Sequence, residues 1–487
     1  MQVIMNWVLL PELIYIIVLV LVCLRIIYDT RNSSKTLAYL LLAVFFPVGG
    51  MIFYFMFGLN LRKRIIYSKK LLTDEKRLKE LNERIISITE QSLKLNASEI
   101  STGEGLVNLL LRDNQSPLTM GNAAKLLING EKKFPEVIKA IQSAGNHIHL
   151  EYYIYENDRI GNIIKDILIE KAHEGVKVRL IYDDFGSRSI RKKLVKELRE
   201  GGVEAYPFNR VRFSFFANKI NYRNHRKIII VDGRTGFTGG INISDRYINN
   251  KNNKRNSYWR DTHLRIDGPG IFILQHIFLC DWNFCSGQKI EPDQAYFNTT
   301  PMPGSKVNIQ IACSGPDSPN ATIMFSFLKA INLAQHEILL ATPYLIPGGS
   351  IMDALTISAL EGVKVKILVP GISDSWLVNK AAWSNYGELL KAGVEIYIYN
   401  KGFIHAKTLV IDGHISVVGT ANMDHRSFNL NFEVNAIVYS VEFAAQMEKT
   451  FYADLVNAEK VEYERWISRT FITKLAERTA RLLSPLL

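Results

Sequence analysis

Two stretches of this 487-residue chain hold the residue types that phosphate chemistry needs. Asn224-His-Arg-Lys-Ile-Ile-Ile-Val-Asp-Gly233 and Ile404-His-Ala-Lys-Thr-Leu-Val-Ile-Asp-Gly413 share the pattern H-x-K-x-x-x-x-D-G. In an extended strand, residues two apart lie on one face, so His225 points with Lys227 and His405 with Lys407. An asparagine follows each histidine by 17 residues, Asn242 and Asn422, and an acidic residue follows further on, Asp261 and Glu433. A neutral imidazole can attack phosphorus and form a covalent phospho-histidine. A second imidazole, protonated, can give its proton to the leaving alkoxide and then act as base for the next alcohol. The two lysines and two asparagine amides can hold non-bridging oxygens as charge shifts. Each imidazole also needs an acceptor on its second nitrogen, a role that suits Asp261 and Glu433. The scheme needs no metal or other cofactor. The four cysteines, Cys23, Cys280, Cys285 and Cys313, form no C-x-x-C pair and fit a reducing compartment.

The elements that must carry these residues also come in pairs. Val137-Ile-Lys-Ala-Ile141 resembles Phe327-Leu-Lys-Ala-Ile331, and Glu174-Gly-Val-Lys-Val-Arg-Leu-Ile181 resembles Glu361-Gly-Val-Lys-Val-Lys-Ile-Leu368. Gly202-Val-Glu204 then matches Gly393-Val-Glu395. Each half reads helix, strand, helix, apolar strand, helix, strand and motif-bearing strand. Apolar runs such as Val178 to Tyr182 and Ile367 to Val369 suit strands buried on both faces of an α/β sheet. The expectation is two similar α/β domains, 106–300 and 301–487, related by an approximate two-fold axis, with one site at their interface. A single H-x-K is weak evidence, since a surface histidine fits it equally well. Two in matched frames, each with its asparagine at one offset, make chance a poor explanation.

Before the repeat lie two apolar stretches. Leu37 to Leu59 has no charged residue over 23 positions, long enough to span a bilayer. Trp7 to Tyr28 carries only Glu12 and Arg25, near its ends, and lacks the basic start and small-residue cleavage site of a signal peptide. Pro47 and Gly49-Gly50 are tolerable in a membrane helix. The basic cluster Arg62, Lys63, Arg64, Lys69 and Lys70 places the following chain in the cytoplasm by the positive-inside rule. The expectation is a two-helix transmembrane hairpin (spans about 7–28 and 37–59), both ends cytoplasmic, then a charged juxtamembrane linker over 61–105. The net charge of +12 fits an anionic partner, and the apolar stretches favour an acidic membrane surface over nucleic acid.

The paired motifs resemble the HKD signature of the phospholipase D superfamily. Within it, the two apolar stretches, Phe57-Gly-Leu-Asn60, Asn221-Tyr-Arg-Asn-His225, Gly419-Thr-Ala-Asn-Met-Asp-His-Arg-Ser-Phe428, Asn431-Phe-Glu-Val-Asn435 and Arg481-Leu-Leu-Ser-Pro-Leu-Leu487 resemble bacterial cardiolipin synthases. The resemblance implies condensation of two phosphatidylglycerols into cardiolipin with release of glycerol. It also implies His225 as nucleophile and His405 as acid/base; the near-symmetry of the halves leaves the reverse open. Asp232 and Asp412 belong to the signature's catalytic set, although each precedes a glycine after a strand, where a turn-forming role is favoured.

The halves are not identical. His225 to Asp261 spans 36 residues and His405 to Glu433 spans 28, which points to an insertion over Ile248 to Ser257. Arg210-Val-Arg-Phe-Ser-Phe-Phe216 with Lys219 reads either as a loop with core aromatics or as a headgroup-dipping segment. Glu464 to Leu483, apolar at Trp466, Ile467, Phe471, Leu475, Leu482 and Leu483, reads as a helix packed on its domain or lying on a membrane. Two competing functions remain open: a phospholipase D-type hydrolase and a nucleic-acid phosphodiesterase.

Overall fold

Runs of β-branched residues build the centre of the α/β body. Ile228-Ile-Ile-Val231 and Leu409-Val-Ile411 are buried throughout, as strands covered on both faces must be. The computed structural model describes residues 2–30, 33–55, 87, 89–90, 102–208, 222–249, 258–290, 294–297, 300–373, 375–482 and 484. The chain forms two compact units, the N-terminal helices and the α/β body.

In the body, fifteen strands make one sheet. From the central seam outward, the first half runs Thr119–Ile128, Thr262–Asp267, Thr235–Gly239, Lys227–Val231, His147–Tyr152, Lys177–Asp183 and Glu204–Phe208. The second half mirrors it as Val307–Ser314, Glu433–Tyr439, Ile415–Gly419, Thr408–Ile411, Glu337–Ala341, Lys364–Pro370 and Glu395–Tyr399, with Ala458–Lys460 added at its edge. Parallel and antiparallel pairings fall at matching places in the two halves. At the seam, Thr119 pairs with Ile309 and Asn122 with Val307 across a register shift, and Asn122 Nδ2 donates to the Val307 carbonyl at 3.1 Å. The expected duplication is therefore present, and its two sheets are continuous. Each half keeps its own apolar core, one around Leu150, Leu180 and Ile229 and the other around Leu340, Ile367 and Leu409.

The N-terminal unit departs from the expected pair of simple spans. Gln2–Asp29 is one helix of 28 residues, and its Pro11–Asp29 portion has a mean hydropathy of 2.3, long and apolar enough to cross a membrane. The second stretch breaks instead. Ser33–Phe45 ends at Phe46, whose φ of −124° and ψ of 73° are not helical, and Pro47–Phe53 starts anew with proline at its first turn. Proline disfavours helical backbone at the residue before it and cannot donate to the preceding turn. The short helix folds back on the longer one: the Tyr39 ring lies 6.4 Å from Phe53 and 5.6 Å from Tyr54. Gly50 sits against the Leu42 carbonyl, where a Cβ would collide, so the glycine permits the reversal. The Tyr54 hydroxyl reaches Asp29 Oδ2 at 3.2 Å, returning the chain to the level where the first helix ended. Residues 56–59 of this stretch, the basic cluster at 62–70 and most of the 61–105 linker lie outside the described residues.

The C-terminal helix Phe471–Leu482 packs on Trp376–Lys391 and the segment before it. Trp466 stacks on Tyr386 at 5.2 Å, and Arg469 pairs with the buried Glu477 at 2.7 Å. Phe471, Ile472, Leu475 and Leu482 face outward. The packed reading therefore describes one face of the helix and leaves an apolar stripe on the other.

Candidate active site

Each motif histidine sits just before a fully buried strand, at its N-terminal end, and each is pinned by the other half. His225 N–H donates to the Phe432 carbonyl at 2.9 Å, and His405 N–H donates to the Arg260 carbonyl at 2.7 Å. Gly402–Ile404 forms a short parallel pair with Tyr258–Arg260, and Asn224 bridges to Phe432. These cross-links carry each histidine to the acidic residue of the opposite half. His225 Nδ1 meets Glu433 Oε2 at 2.9 Å, and His405 Nδ1 meets Asp261 Oδ2 at 2.8 Å. With Nδ1 occupied, Nε2 is the nitrogen left for chemistry in both rings. Each histidine side chain keeps 11% of its surface open, whereas both carboxylates are fully buried.

The insertion in the first half does not displace Asp261, because the strand pairing on either side of it fixes its position. The residues 250–257 themselves, like the aromatic-basic segment at 210–216 with Lys219, lie outside the described residues. Lys227 Nζ donates to the His225 carbonyl at 2.7 Å, and Lys407 Nζ lies 2.9 Å from His405 Nδ1. Each lysine's charge reaches the histidine of the other half, so the four groups share one electrostatic site. Tyr153 meets the His225 ring edge-on at 4.9 Å, and Trp259 and Phe403 flank His405 at 5.5 and 5.6 Å.

Burial is the main cause of the site's proton balance. It holds His225 down to about 4, against the pull of Glu433, and His405 down to about 3, with Lys407 adding to the fall. Lys227 drops to about 7, again through burial. Burial alone would raise Glu433 and Asp261. Glu433 is nonetheless held below the usual carboxylate range by His225 and Lys227, and Asp261 by Lys407 and His405. The resting site is thus two neutral imidazoles on two ionised carboxylates, beside two buried lysines.

The asparagines are partly engaged. Asn242 Nδ2 donates to the Tyr247 hydroxyl at 2.6 Å while its Oδ1 accepts from Ile154 N–H at 3.2 Å. Asn422 Nδ2 donates to Asp424 Oδ2 at 3.1 Å. Each amide nitrogen has a second hydrogen left to donate. Asp232 and Asp412 require a correction to the catalytic set. Asp232 accepts from the N–H groups of Gly145, Asn146 and His147 at 2.8, 2.8 and 2.9 Å. Asp412 does the same for Gln335, His336 and Glu337 at 2.7, 2.8 and 2.7 Å. Both adopt left-handed backbone, φ 52° and 49°, in the turn that ends the strand. A seven-residue separation along an extended strand puts them roughly 20 Å from the histidines. They hold strand starts and touch no reacting group.

Sequence reasoning missed Lys133, fully buried on the helix Asn129–Gln142. Its Nζ donates to the Ile241 carbonyl at 2.9 Å, securing the turn that carries Asn242. It also missed Glu151, which accepts from Asn224 Nδ2 at 2.5 Å beside His225 and is raised well above its ordinary range by burial and by Asp281. Only Glu151, a charge among the apolar residues Leu150, Tyr152 and Tyr153, carried a hint; Lys133 sits in the charged run Glu131-Lys-Lys133 and carried none. Among the described residues, no three His, Cys, Asp or Glu side chains are grouped to hold a metal.

A duplicated α/β sheet whose halves each lend an H-x-K histidine to one shared site defines a phospholipase D-type phosphotransferase. The family model described as cardiolipin synthase, PLD-like domain, matches residues 137–264 and again 327–455, and a phospholipase D-nuclease N-terminal model matches 14–58. The chain is 40% identical to the major cardiolipin synthase ClsA of Bacillus subtilis over 482 residues, covering 98% of each. It is 38% identical to the cardiolipin synthase of Listeria monocytogenes serotype 4a, covering 98% of this chain and 99% of that one. Its fold is similar to the crystal structure of phosphatidylserine synthase from Haemophilus influenzae, with a TM-score of 0.59, 14% identity, and coverage of 79% of this chain and all of that one. The chain belongs to the cardiolipin synthase family.

Proposed function

We propose that this chain condenses two phosphatidylglycerol molecules into cardiolipin and glycerol through a phosphatidyl-histidine intermediate. The observation that carries the reading is the pair of crossed dyads, His225 on Glu433 and His405 on Asp261, with the charges of Lys227 and Lys407 acting on both rings. His225 Nε2 attacks the phosphorus, the bond to the glycerol headgroup breaks, and the departing glycerol oxygen takes a proton from His405. The headgroup hydroxyl of a second phosphatidylglycerol then loses its proton to His405 and attacks phosphorus, expelling His225. The phosphodiester's own negative charge raises the affinity of His405 for the proton it must carry in the first step. Lys227, Lys407 and the spare N–H groups of Asn242 and Asn422 hold the non-bridging oxygens.

The enzyme works at an anionic membrane surface and takes no nucleic acid. The helix Gln2–Asp29 crosses the bilayer once, and 33–55 dips in and returns to the side it entered. The basic residues at 62–70 place that side, and the catalytic halves beginning near residue 106, in the cytoplasm. The start of the first helix then faces outward, which differs from a hairpin with both ends inside. Labelling of a cysteine placed near residue 3 by an impermeant reagent on intact cells tests this: protection until lysis overturns the single crossing.

The test of function is incubation of the purified, full-length enzyme with phosphatidylglycerol alone. Cardiolipin and glycerol in equal amounts support the reading. Phosphatidic acid as the sole product would assign a hydrolase, and no lipid turnover together with cleavage of DNA in a parallel incubation a nuclease.

A further inference from the structure

The two dyads share a support that the repeat pattern hides. The helix following each carboxylate strand, Ile271–Ser286 in the first half and Val441–Leu455 in the second, carries a largely buried aspartate near its end. These are Asp281, 20 residues after Asp261, and Asp454, 21 residues after Glu433. Each pairs with a buried arginine. Arg226 Nη1 bonds Asp281 Oδ2, while Arg260 grips Asp454 through two nitrogens, at 2.9 and 2.8 Å.

The arginines do not occupy equivalent places in the repeat. Arg226 follows His225, where the second half has Ala406. Arg260 precedes Asp261, where the second half has Phe432. In space, however, the residue after one histidine meets the residue before the carboxylate of the opposite half. Arg226 lies 5.3 Å from the Phe432 ring centroid, and Arg260 and Ala406 line one small cavity with Asp454. At this position each site therefore has an arginine, lent by the histidine strand at the first and by the carboxylate strand at the second. Both guanidinium groups then donate to the same target, the backbone carbonyl of the residue that holds the histidine: Arg226 Nε to Glu433 O at 3.4 Å, Arg260 Nη1 to Asp261 O at 2.7 Å.

We propose that Arg226–Asp281 and Arg260–Asp454 are equivalent positioning braces, one per histidine, that fix each crossed imidazole–carboxylate pair in its reactive orientation. Neither arginine touches the reacting atoms. Each acts by locking the main chain from which the carboxylate projects, against a helix of the body. The planar, always-charged guanidinium suits this work because it can bind the aspartate and the carbonyl at once.

The inference rests on the two-histidine reading, and relocation of an arginine tests it separately. Turnover by the wild-type enzyme tests the chemistry, and the ratio of variant to wild type tests the brace. Arg260→Phe is expected to lower kcat about 100-fold with KM for phosphatidylglycerol within about twofold, as a misplaced catalytic group does. Ala406→Arg added to it recreates at the second site the arrangement of the first, and is expected to recover at least about tenfold of the loss. If Arg260→Phe fails to accumulate, Asp454→Asn and Arg260→Lys, which keep the volume, are expected to lower kcat at least about tenfold at unchanged KM. Wild-type kcat in these variants, or a double variant no better than Arg260→Phe, would overturn the proposal.

Discussion

The His225 and His405 sites match in geometry and differ in the polar groups that surround each carboxylate. Glu433 receives three side-chain hydrogen bonds, from His225, from Thr420 Oγ1 at 2.5 Å and from Asn431 Nδ2 at 3.1 Å. Asp261 receives one from His405 and one from the backbone of Thr262 at 2.7 Å. On the cation side, each lysine donates to the carbonyl of its own histidine, Lys227 at 2.7 Å and Lys407 at 2.5 Å, and Lys407 also lies 2.9 Å from His405 Nδ1. The result is that His405 is held at about 3 and His225 at about 4, burial leading in both. The duplicated backbone reproduces distances, and the surrounding polar groups set each ring's protonation. His225, less opposed by its lysine and more firmly oriented, suits attack on phosphorus.

The strongest way to break the comparison is to remove one ring. His225→Ala and His405→Ala are each expected to lower cardiolipin formation by about 10⁴-fold or more while membrane association persists. Enzyme incubated with labelled phosphatidylglycerol and quenched in alkaline detergent, which preserves a phosphorus–imidazole bond, should carry label on residue 225 and none in His225→Ala. Label on residue 405 would reverse the roles. Next in size are the carboxylates. Glu433→Gln and Asp261→Asn should each lower kcat by about 10²–10³-fold, because the imidazole loses the acceptor that fixes its tautomer. An effect confined to KM would remove that role.

A smaller effect concerns pH. Both imidazoles have folded values below the free value of 6.5, so the unfolded chain binds protons first on acidification. The stability these two rings contribute is therefore complete above about 6.5 and falls as pH drops toward 4. Thermal unfolding at several pH values should show a midpoint lower by several degrees at pH 5 than at pH 7, less so in the double variant His225→Asn, His405→Asn. The smallest effect on chemistry is expected at the other end of the strands. Asp232→Asn and Asp412→Asn should leave kcat within about twofold and cost about 1–2 kcal/mol of stability in denaturant titration. A loss of activity without a loss of stability would return these aspartates to the reaction.

Much of the site was legible because it is written locally. The H-x-K spacing puts imidazole and ammonium on one face of a strand, and the repeat doubles it. The apolar runs around Ile229 and Ile367 mark the sheet for the same reason. What depends on distant parts of the chain was not legible: that Glu433 serves His225 and Asp261 serves His405, and that an arginine at one repeat position replaces an arginine at another. Lys133 and Glu151 stay hidden because a charge in an amphipathic run normally faces water. The break at Phe46 was signalled by Phe46-Pro-Val-Gly-Gly50, but uniform hydropathy over Leu37 to Leu59 outweighed that local punctuation.

The crossing of the dyads also governs when the protein becomes dangerous to its own membrane. Glu433 follows His225 by 208 residues. At a synthesis rate of about 5–20 residues per second, the first histidine waits on the order of 10–40 s for its carboxylate. Throughout that interval the nascent chain, already able to insert its first helix, holds an imidazole with no oriented partner. Both crossed dyads can therefore close only after Glu433 has emerged, so a product interrupted before that residue lacks the carboxylate that orients His225.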